Sequence, residues 1–93
     1  MKSGRAGKKS AGFSVYIVRC KDGTYYCGFS GDVGKRVEAH NNGTGAKYTR
    51  ARRPVALVYS EKKKTIRQAM AREREIKGMS KKGKEMLVLG GKG

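Results

Sequence analysis

Two phenols, a guanidinium, an imidazole and a carboxylate occur at spacings that secondary structure can bring together. Tyr16 and Tyr26 lie in two β-rich runs of the sequence. Arg36 and His40 are four residues apart, and Glu73 lies further along the chain. A carboxylate can hold a hard cation, a guanidinium can bind a phosphate, and phenol and imidazole groups can transfer protons. Together these side chains indicate phosphodiester chemistry.

Arg36 and His40 fall on one side of a predicted helix, because positions three and four apart share a helical face. That side also carries Val33 and Val37, so we expect it to pack against the core, whereas Lys35 lies on the outer side. The structural alternative is an arginine that extends past the apolar edge and a core histidine whose hydrogen bonds are satisfied.

Glu73 is predicted to lie within the buried stripe of a later helix. The other members of that stripe are apolar, namely Ile66, Ala69, Met70 and Ile76. A carboxylate in such a position is costly unless it is paired or binds a metal, so Glu73 is the predicted metal ligand. Glu75 falls on the solvent side of the same helix. The alternative for Glu73 is an ion pair with an arginine at the rim of the core.

The relative positions of the two phenols depend on the turn at residues 21–23. A two-residue loop would place Tyr16 and Tyr26 on opposite faces of the sheet. A three-residue loop, with Gly23 in the left-handed conformation, would place them on the same face. Both loops suit the sequence, and only the three-residue loop gives a common site. Gly28 would then leave space beside the phenols for a ligand.

Local patterns place these groups on a small α/β (α+β) fold. β-branched and aromatic runs predict three strands, at residues 13–19, 25–29 and 55–59. Capping and glycine signals predict three helices, at residues 33–41, 66–77 and 81–87. Residues 43–53 are predicted to form an irregular basic loop. The expected order is ββαβαα, a three-stranded sheet with an antiparallel hairpin, flanked by helices.

The chain has 93 residues and a formal net charge of +16, with 23 Lys and Arg against 7 Asp and Glu. Its length fits one domain. We expect a disordered basic arm at 1–12, a single folded domain at 13–89 and a flexible tail at 90–93. The positive charge is spread along the whole chain and is not confined to one tail. The partner that such a chain favours is a polyphosphate, either DNA or RNA.

Several classes of protein are excluded by composition. Two cysteines, Cys20 and Cys27, and a single histidine do not make a disulfide-rich scaffold or a histidine-rich metal cluster. No apolar run reaches the roughly 20 residues that span a bilayer, and we expect no secretory signal. The expectation is a cytoplasmic protein, nucleoid-associated if it binds DNA, with reduced thiols, no membrane partner and no small-molecule cofactor.

The spacing of the candidate residues resembles that of GIY-YIG nucleases. The two signature elements are represented by Ser14-Val15-Tyr16 and Tyr26-Cys27-Gly28, with ten residues from Tyr to Tyr. Arg36 follows the second Tyr by ten residues and His40 follows it by fourteen, as in many members of the family. Glu73 occupies the position of the glutamate on the family's later helix. The segment 45–54 resembles the small stand-alone YhbQ-like branch in particular.

The resemblance implies a divalent-metal-dependent endonuclease. Mg²⁺, or Mn²⁺, would be held by Glu73, and Arg36 would hold the scissile phosphate. Tyr16 or Tyr26, together with His40, would help to deprotonate the attacking water. Cleavage would leave a 5′-phosphate and a 3′-hydroxyl. The expected substrate is DNA in preference to RNA, with branched, nicked or damaged DNA in repair or recombination as the context.

Contacts to nucleic acid are expected from six further side chains, namely Lys35, Lys47, Tyr48, Arg50, Arg52 and Arg53. Five of the six belong to the basic loop 43–53, which together with the arm would follow the phosphate backbone without reading bases. The alternative function is a basic nucleic-acid-binding protein on the same fold that lacks catalytic turnover.

Overall fold

The fold is a three-stranded antiparallel sheet with helices on both faces. The computed structural model describes residues 12–90. Its elements, in chain order, are β1 (Phe13–Arg19), β2 (Tyr25–Ser30), α1 (Val33–Asn42), α2 (Lys47–Arg50), β3 (Ala56–Lys63), α3 (Ile66–Lys77) and α4 (Lys81–Gly90). The strand order across the sheet is β2-β1-β3, with both pairs antiparallel. The predicted class and element order are confirmed.

The hairpin between β1 and β2 has the three-residue loop. The Cys20 amide donates to the Thr24 carbonyl at 2.8 Å, which leaves residues 21–23 as the turn. Gly23 has φ +86°, a conformation that favours glycine, and the Asp22 carboxylate accepts the Thr24 amide hydrogen. Tyr16 therefore pairs directly with Gly28. This register places both phenols on one face of the sheet.

The sheet separates two hydrophobic cores, because successive β1 side chains point to opposite faces. Val15 and Ile17 pack with Cys27 and with α3, whose Ala69 and Ile76 are fully buried. Tyr16 and Val18 pack on the other face, where the partners are Cys20, Val55, Tyr26, Val33 and Val37. The face that carries the phenols is therefore the one that α1 covers.

Capping residues position the two main helices. The Asp32 carboxylate accepts the Lys35 amide hydrogen at the start of α1, and the helix ends at Gly43 with φ +85°. The Thr65 hydroxyl accepts the Gln68 amide hydrogen at the start of α3. Both helices begin where the sequence predicts. None of the helices among residues 12–90 has the length and apolar character needed to cross a membrane.

Three element predictions need correction. Residues 47–50 form the single-turn helix α2 inside the segment predicted to be an irregular loop. β3 extends to Lys63 because it pairs with β1 along its whole length, which a lysine-rich sequence does not indicate. α4 continues to Gly90. The predicted arm and tail lie outside the described residues, except for Gly12 and for Gly90 at the end of α4.

The predicted buried stripe of α3 is partly wrong. Ala69 and Ile76 are buried, but Ile66 is 48% exposed and Met70 is 42% exposed. The sheet is only three strands wide, so the line through Ala69 and Ile76 covers it and the neighbouring line lies beyond its edge. Glu73 is consequently half-buried at the edge of the core, not in its middle.

Candidate active site

A buried hydrogen bond joins the first phenol to the histidine. Tyr16, on the central strand, is 1% exposed, and its hydroxyl lies 2.8 Å from Nε2 of His40. His40 is fully buried on the core side of α1, as the spacing predicts. Burial raises the pKa of Tyr16 to about 12, although the Arg36 guanidinium beside the hydroxyl acts in the opposite direction. The phenol therefore keeps its proton unless a neighbour accepts it.

The histidine is held at both ring nitrogens. Its Nδ1 lies 2.8 Å from the hydroxyl of Thr49 on α2 and 3.3 Å from the Ala46 amide nitrogen. Burial lowers the pKa of His40, and the positive charge of Arg36 lowers it further. The imidazole is therefore neutral at physiological pH and is able to accept a proton.

The second phenol lies at the edge of the same face. The Tyr26 ring meets His40 edge to face, with ring centroids 5.3 Å apart, and stacks on Tyr48 at 5.9 Å. Tyr26 is half-buried, whereas Tyr16 is buried, so Tyr26 is the more accessible of the two phenols. The space expected beside Gly28 is occupied, because a Cβ at that position would lie 2.6 Å from the Tyr16 hydroxyl. Gly28 accommodates the phenol and not a ligand.

Glu73 approaches from the opposite face of the sheet, around the edge strand β2. Burial raises the pKa of Cys27 on β2, and the negative charge of Glu73 raises it further. Its carboxylate lies 3.5 Å from Nζ of Lys77, which in turn lies 5.8 Å from the centroid of Tyr26. The structure thus brings Glu73 to the same edge as the second phenol.

The carboxylates that pair with an arginine are not Glu73. Arg72 contacts both Glu61 and Glu75 at 3.0 Å. This network lies on the β3 side of α3. The sequence offered an ion pair with an arginine as the alternative for Glu73, and the structure gives that arginine to Glu61 and Glu75 instead. The Glu73 carboxylate keeps only a long contact with one half-exposed lysine, so it is available to a cation.

The residues present fit a single Mg²⁺ or Mn²⁺. Residues 12–90 contain no group of three or more His, Cys, Asp or Glu side chains that could enclose a metal. Mg²⁺ usually keeps several waters and binds through one or two carboxylates plus substrate phosphates. One accessible carboxylate at an open edge meets that requirement, and Glu73 is the residue that would hold the ion.

The basic residues expected to contact nucleic acid divide into two groups. Arg52 is bound to Asp22 at 3.1 Å and lies over the Tyr48 ring at 3.9 Å, so both residues connect α2 to the hairpin and support Tyr26. Arg53 donates to the Arg50 carbonyl at 2.8 Å. Among the basic members, Lys35, Lys47, Arg50 and Arg53 are exposed, and Tyr48 is 37% exposed.

Sequence reasoning missed three residues around this edge. Lys81 and Lys84 line a cleft of about 200 Å³ together with Thr24, Tyr25 and Tyr48. Nothing in the α4 sequence distinguishes these two lysines from the other polar residues of that helix. Thr49 is fully buried against His40. The signal that could have found it is an uncharged hydroxyl between Tyr48 and Arg50 in a run of basic residues.

The comparison with known families agrees with this geometry. The GIY-YIG catalytic domain matches residues 12–86. The chain therefore belongs to the GIY-YIG family. A GIY-YIG domain is a nuclease domain, and its presence implies a nucleic acid as substrate.

Its relatives place the chain in the YhbQ-like branch. It is 53% identical over 74 residues to UPF0213 proteins of Staphylococcus saprophyticus and Staphylococcus aureus, covering 80% of this chain and 90% of each relative. It is similar to the solution NMR structure of a UPF0213 protein from Bacillus halodurans, with 44% identity, a TM-score of 0.56 and 87% of each chain covered. An E. faecalis protein structure gives 34% identity and a TM-score of 0.60, covering 87% of this chain and 86% of that one.

Proposed function

We propose that the protein is a divalent-metal-dependent endonuclease that hydrolyses phosphodiester bonds in DNA. The observation that carries the proposal is the buried contact between Tyr16 and neutral His40, with the Arg36 guanidinium at the phenol hydroxyl. A buried phenol with a raised pKa gains catalytic use when a proton acceptor and a positive charge both adjoin it. A merely structural buried tyrosine would also need the acceptor, but it would not need the positive charge.

Each residue has a part in the reaction. Tyr16 gives its proton to His40 Nε2, Arg36 stabilises the phenolate that results, and the phenolate then takes the proton of the attacking water. Arg36 also holds the scissile phosphate and offsets its developing charge. Tyr26, at the accessible edge, orients the water or the leaving oxygen. Glu73 would hold the divalent ion, which when bound would supply Lewis-acid polarisation of the phosphate, and the products would carry a 5′-phosphate and a 3′-hydroxyl.

The positive charge of the chain supports a nucleic acid as the substrate, and the reaction requires no other macromolecule. A net charge of +16 attracts the phosphate backbone without selecting a base sequence. The exposed residues Lys35, Lys47, Arg50 and Arg53 provide such contacts. We favour DNA with a nick, branch or damaged nucleotide, as in repair or recombination, in the cytoplasm or nucleoid.

A cleavage panel tests the proposal. Nicked, flapped, branched and single-stranded DNA and RNA are incubated with Mg²⁺, with Mn²⁺ and with a chelator, and the products are mapped. We expect metal-dependent cutting that Glu73→Gln abolishes while affinity for nucleic acid changes little. Glu75→Gln is the matched control on the same helix, because Glu75 is 64% exposed and pairs with Arg72.

Two outcomes would contradict the assignment. Equal loss of activity in the two variants would show that Glu73 has no special part. Tight binding without cutting on every substrate would favour the alternative function, a basic nucleic-acid-binding protein without turnover.

A further inference from the structure

A line of buried hydrogen-bonding groups continues beyond the histidine into α2. Tyr16, His40 and Thr49 are each 1% exposed or less. The Tyr16 hydroxyl lies 2.8 Å from His40 Nε2, and His40 Nδ1 lies 2.8 Å from the Thr49 hydroxyl. The Thr49 hydroxyl lies 3.0 Å from the Ala46 carbonyl oxygen. Three side chains from β1, α1 and α2 thus form one chain that ends on the backbone.

The number of protons in this chain limits the directions in which it can run. A threonine hydroxyl has one hydrogen, and a neutral imidazole carries one hydrogen on one of its two nitrogens. If Thr49 donates to the Ala46 carbonyl, it can only accept from Nδ1–H of His40. Nε2 is then unprotonated and accepts the Tyr16 hydrogen.

The reverse direction leaves a buried donor without a partner. With the hydrogen on Nε2, the imidazole would donate to Tyr16, and the hydrogen of that 1% exposed phenol would need another acceptor. The other group beside the Tyr16 hydroxyl is the Arg36 guanidinium, which can only donate, and the described residues offer no other acceptor for the phenol hydrogen. The forward direction leaves one donor without its acceptor, the Ala46 amide, whose N–H points at Nδ1. That amide is half-buried and lies 3.3 Å from Nδ1, farther than the Thr49 hydroxyl at 2.8 Å. An unpaired donor costs more free energy when it is more deeply buried, so the reverse direction is the costlier of the two.

We propose that Thr49 is a positioning residue that keeps the hydrogen of His40 on Nδ1, so that Nε2 faces the Tyr16 phenol as a proton acceptor. The catalytic consequence rests on the proposed nuclease function, but the position of the hydrogen does not. A hydroxyl suits this task because it orients the ring without adding a negative charge. The ionisable groups that face His40 are Arg36 on α1, Tyr16 on β1 and Tyr26 on β2.

The loop before α2 is shaped for this contact. A Cβ at Gly45 would lie 2.4 Å from His40 Nδ1 and 2.8 Å from the His40 Cα. Only a residue without a side chain lets the segment pass this close to the ring. Gly45 thus brings Ala46 and Thr49 to the side of the imidazole that faces away from Tyr16.

The first test locates the hydrogen directly. His40 is the single histidine in the sequence, so a nitrogen-15 NMR spectrum of the untagged, histidine-labelled protein reports on one ring. We expect the hydrogen on Nδ1 in the parent and in Thr49→Ser. In Thr49→Val the Ala46 amide becomes the remaining partner of Nδ1, so the hydrogen should move to Nε2. A parent with its hydrogen on Nε2 overturns the proposal, even if Thr49→Val does not fold.

The second test measures the consequence for cleavage. Thr49→Val should cut at least about tenfold more slowly in single turnover, with an altered pH profile, since general acid–base groups contribute about 10²–10⁴ in rate. Thr49→Ser should retain the parental rate within a fewfold, and thermal melting verifies that both variants are folded. A folded Thr49→Val with parental rate and pH profile contradicts a positioning role. Absence of cutting by the parent refutes the proposed function and leaves the NMR result to decide the tautomer.

Discussion

Arg36 is the residue for which catalytic and structural roles predict the most different behaviour. It is half-buried on α1, beside the Tyr16 hydroxyl. A lysine in its place keeps the charge but lacks the planar fork that binds a phosphate through two hydrogen bonds. We expect the Arg36→Lys variant to fold and to bind nucleic acid with an affinity within a few-fold of the parent's. Its single-turnover cleavage should be about 10²–10³-fold slower.

The control for this substitution is Arg67→Lys, at an exposed position on α3. It makes the same chemical change away from the site and should leave the rate of cutting unaltered. Thermal melting is measured for both variants before the kinetics. A parental rate in a folded Arg36→Lys variant would make Arg36 a structural residue.

His40 links stability to pH. Burial and the Arg36 charge lower its pKa in the folded protein, so the unfolded chain binds a proton more readily than the folded chain does. The free energy of unfolding is therefore not reduced by His40 above about pH 6.5, the ordinary histidine pKa. It decreases as the pH falls below that value, because the unfolded chain then binds a proton. Urea unfolding at about pH 7.5 and 5.5 measures this loss.

The matched variant for the pH experiment is His40→Gln, which has no group that titrates in this range. The parent should lose more stability than the variant between the two pH values, whatever the absolute stability of the variant. An equal loss in both proteins would show that His40 does not carry the pH dependence.

At the scale of elements, α4 contributes a second set of cations to the candidate catalytic edge, where Glu73, Tyr26 and Tyr48 lie. Lys81 and Lys84 line the 200 Å³ cleft that adjoins the stacked rings of Tyr26 and Tyr48. Lys62 and Lys64, at the end of β3, line a separate cleft on the other side of α3. Substitution of the first pair by glutamine should lower the salt slope of binding by about two, since each phosphate contact contributes about one.

The second lysine pair is a charge-matched control. Lys62→Gln with Lys64→Gln removes the same two charges, but beside the network of Glu61, Arg72 and Glu75 and away from the catalytic edge. We expect a much smaller change in the salt slope, measured by fluorescence anisotropy with one labelled oligonucleotide. If both double variants weaken binding equally, the nucleic acid has no preferred path past α4.

Local signals predicted most elements because their physical causes are local. The bounds of α3 follow from the Thr65 cap, and the start of α1 follows from the Asp32 cap. The hairpin loop could be reduced to two alternatives, and long-range pairing between strands decided between them. The length of β3 could not be predicted, because its lysines join the sheet only through β1.

The candidate site was predictable to a similar extent. The spacing on α1 placed Arg36 and His40 on the core side, and the structure agrees. Periodicity grouped Glu73 with Ile66 and Met70 correctly, but it could not show that the sheet is too narrow to cover that line. The partner of His40 is nine residues away in a separate turn of helix, a contact that no local pattern specifies.

At the scale of the whole molecule, four of the seven acidic side chains, all within residues 12–90, lie within 4.0 Å of a positive group. Asp22 pairs with Arg52, Glu61 pairs with Lys63 and Arg72, and Glu73 is near Lys77. The outward field of the protein is therefore that of an excess of cations, in agreement with the net charge of +16. Such a field attracts a polyanion from any direction and gives little discrimination among base sequences.

Salt should control affinity strongly as a result. If about six phosphates are neutralised, affinity for nucleic acid should fall about a thousandfold between 50 and 200 mM salt, because bound counterions are released. Titrations at several salt concentrations on oligonucleotides of unrelated sequence measure both the slope and the selectivity. A slope near zero, or a strong preference for one base sequence, would contradict this expectation.

The central strand would make the proposed nuclease activity a reporter of strand alignment. β1 sends Val15 and Ile17 into one core and Tyr16 and Val18 into the other. A slip of one residue against β2 would exchange these sets, placing a phenol among the aliphatic side chains of α3 and a valine beside His40. A misaligned molecule would thus lose its activity even if it stayed compact. Every active molecule in a preparation would therefore have its central strand in the native alignment.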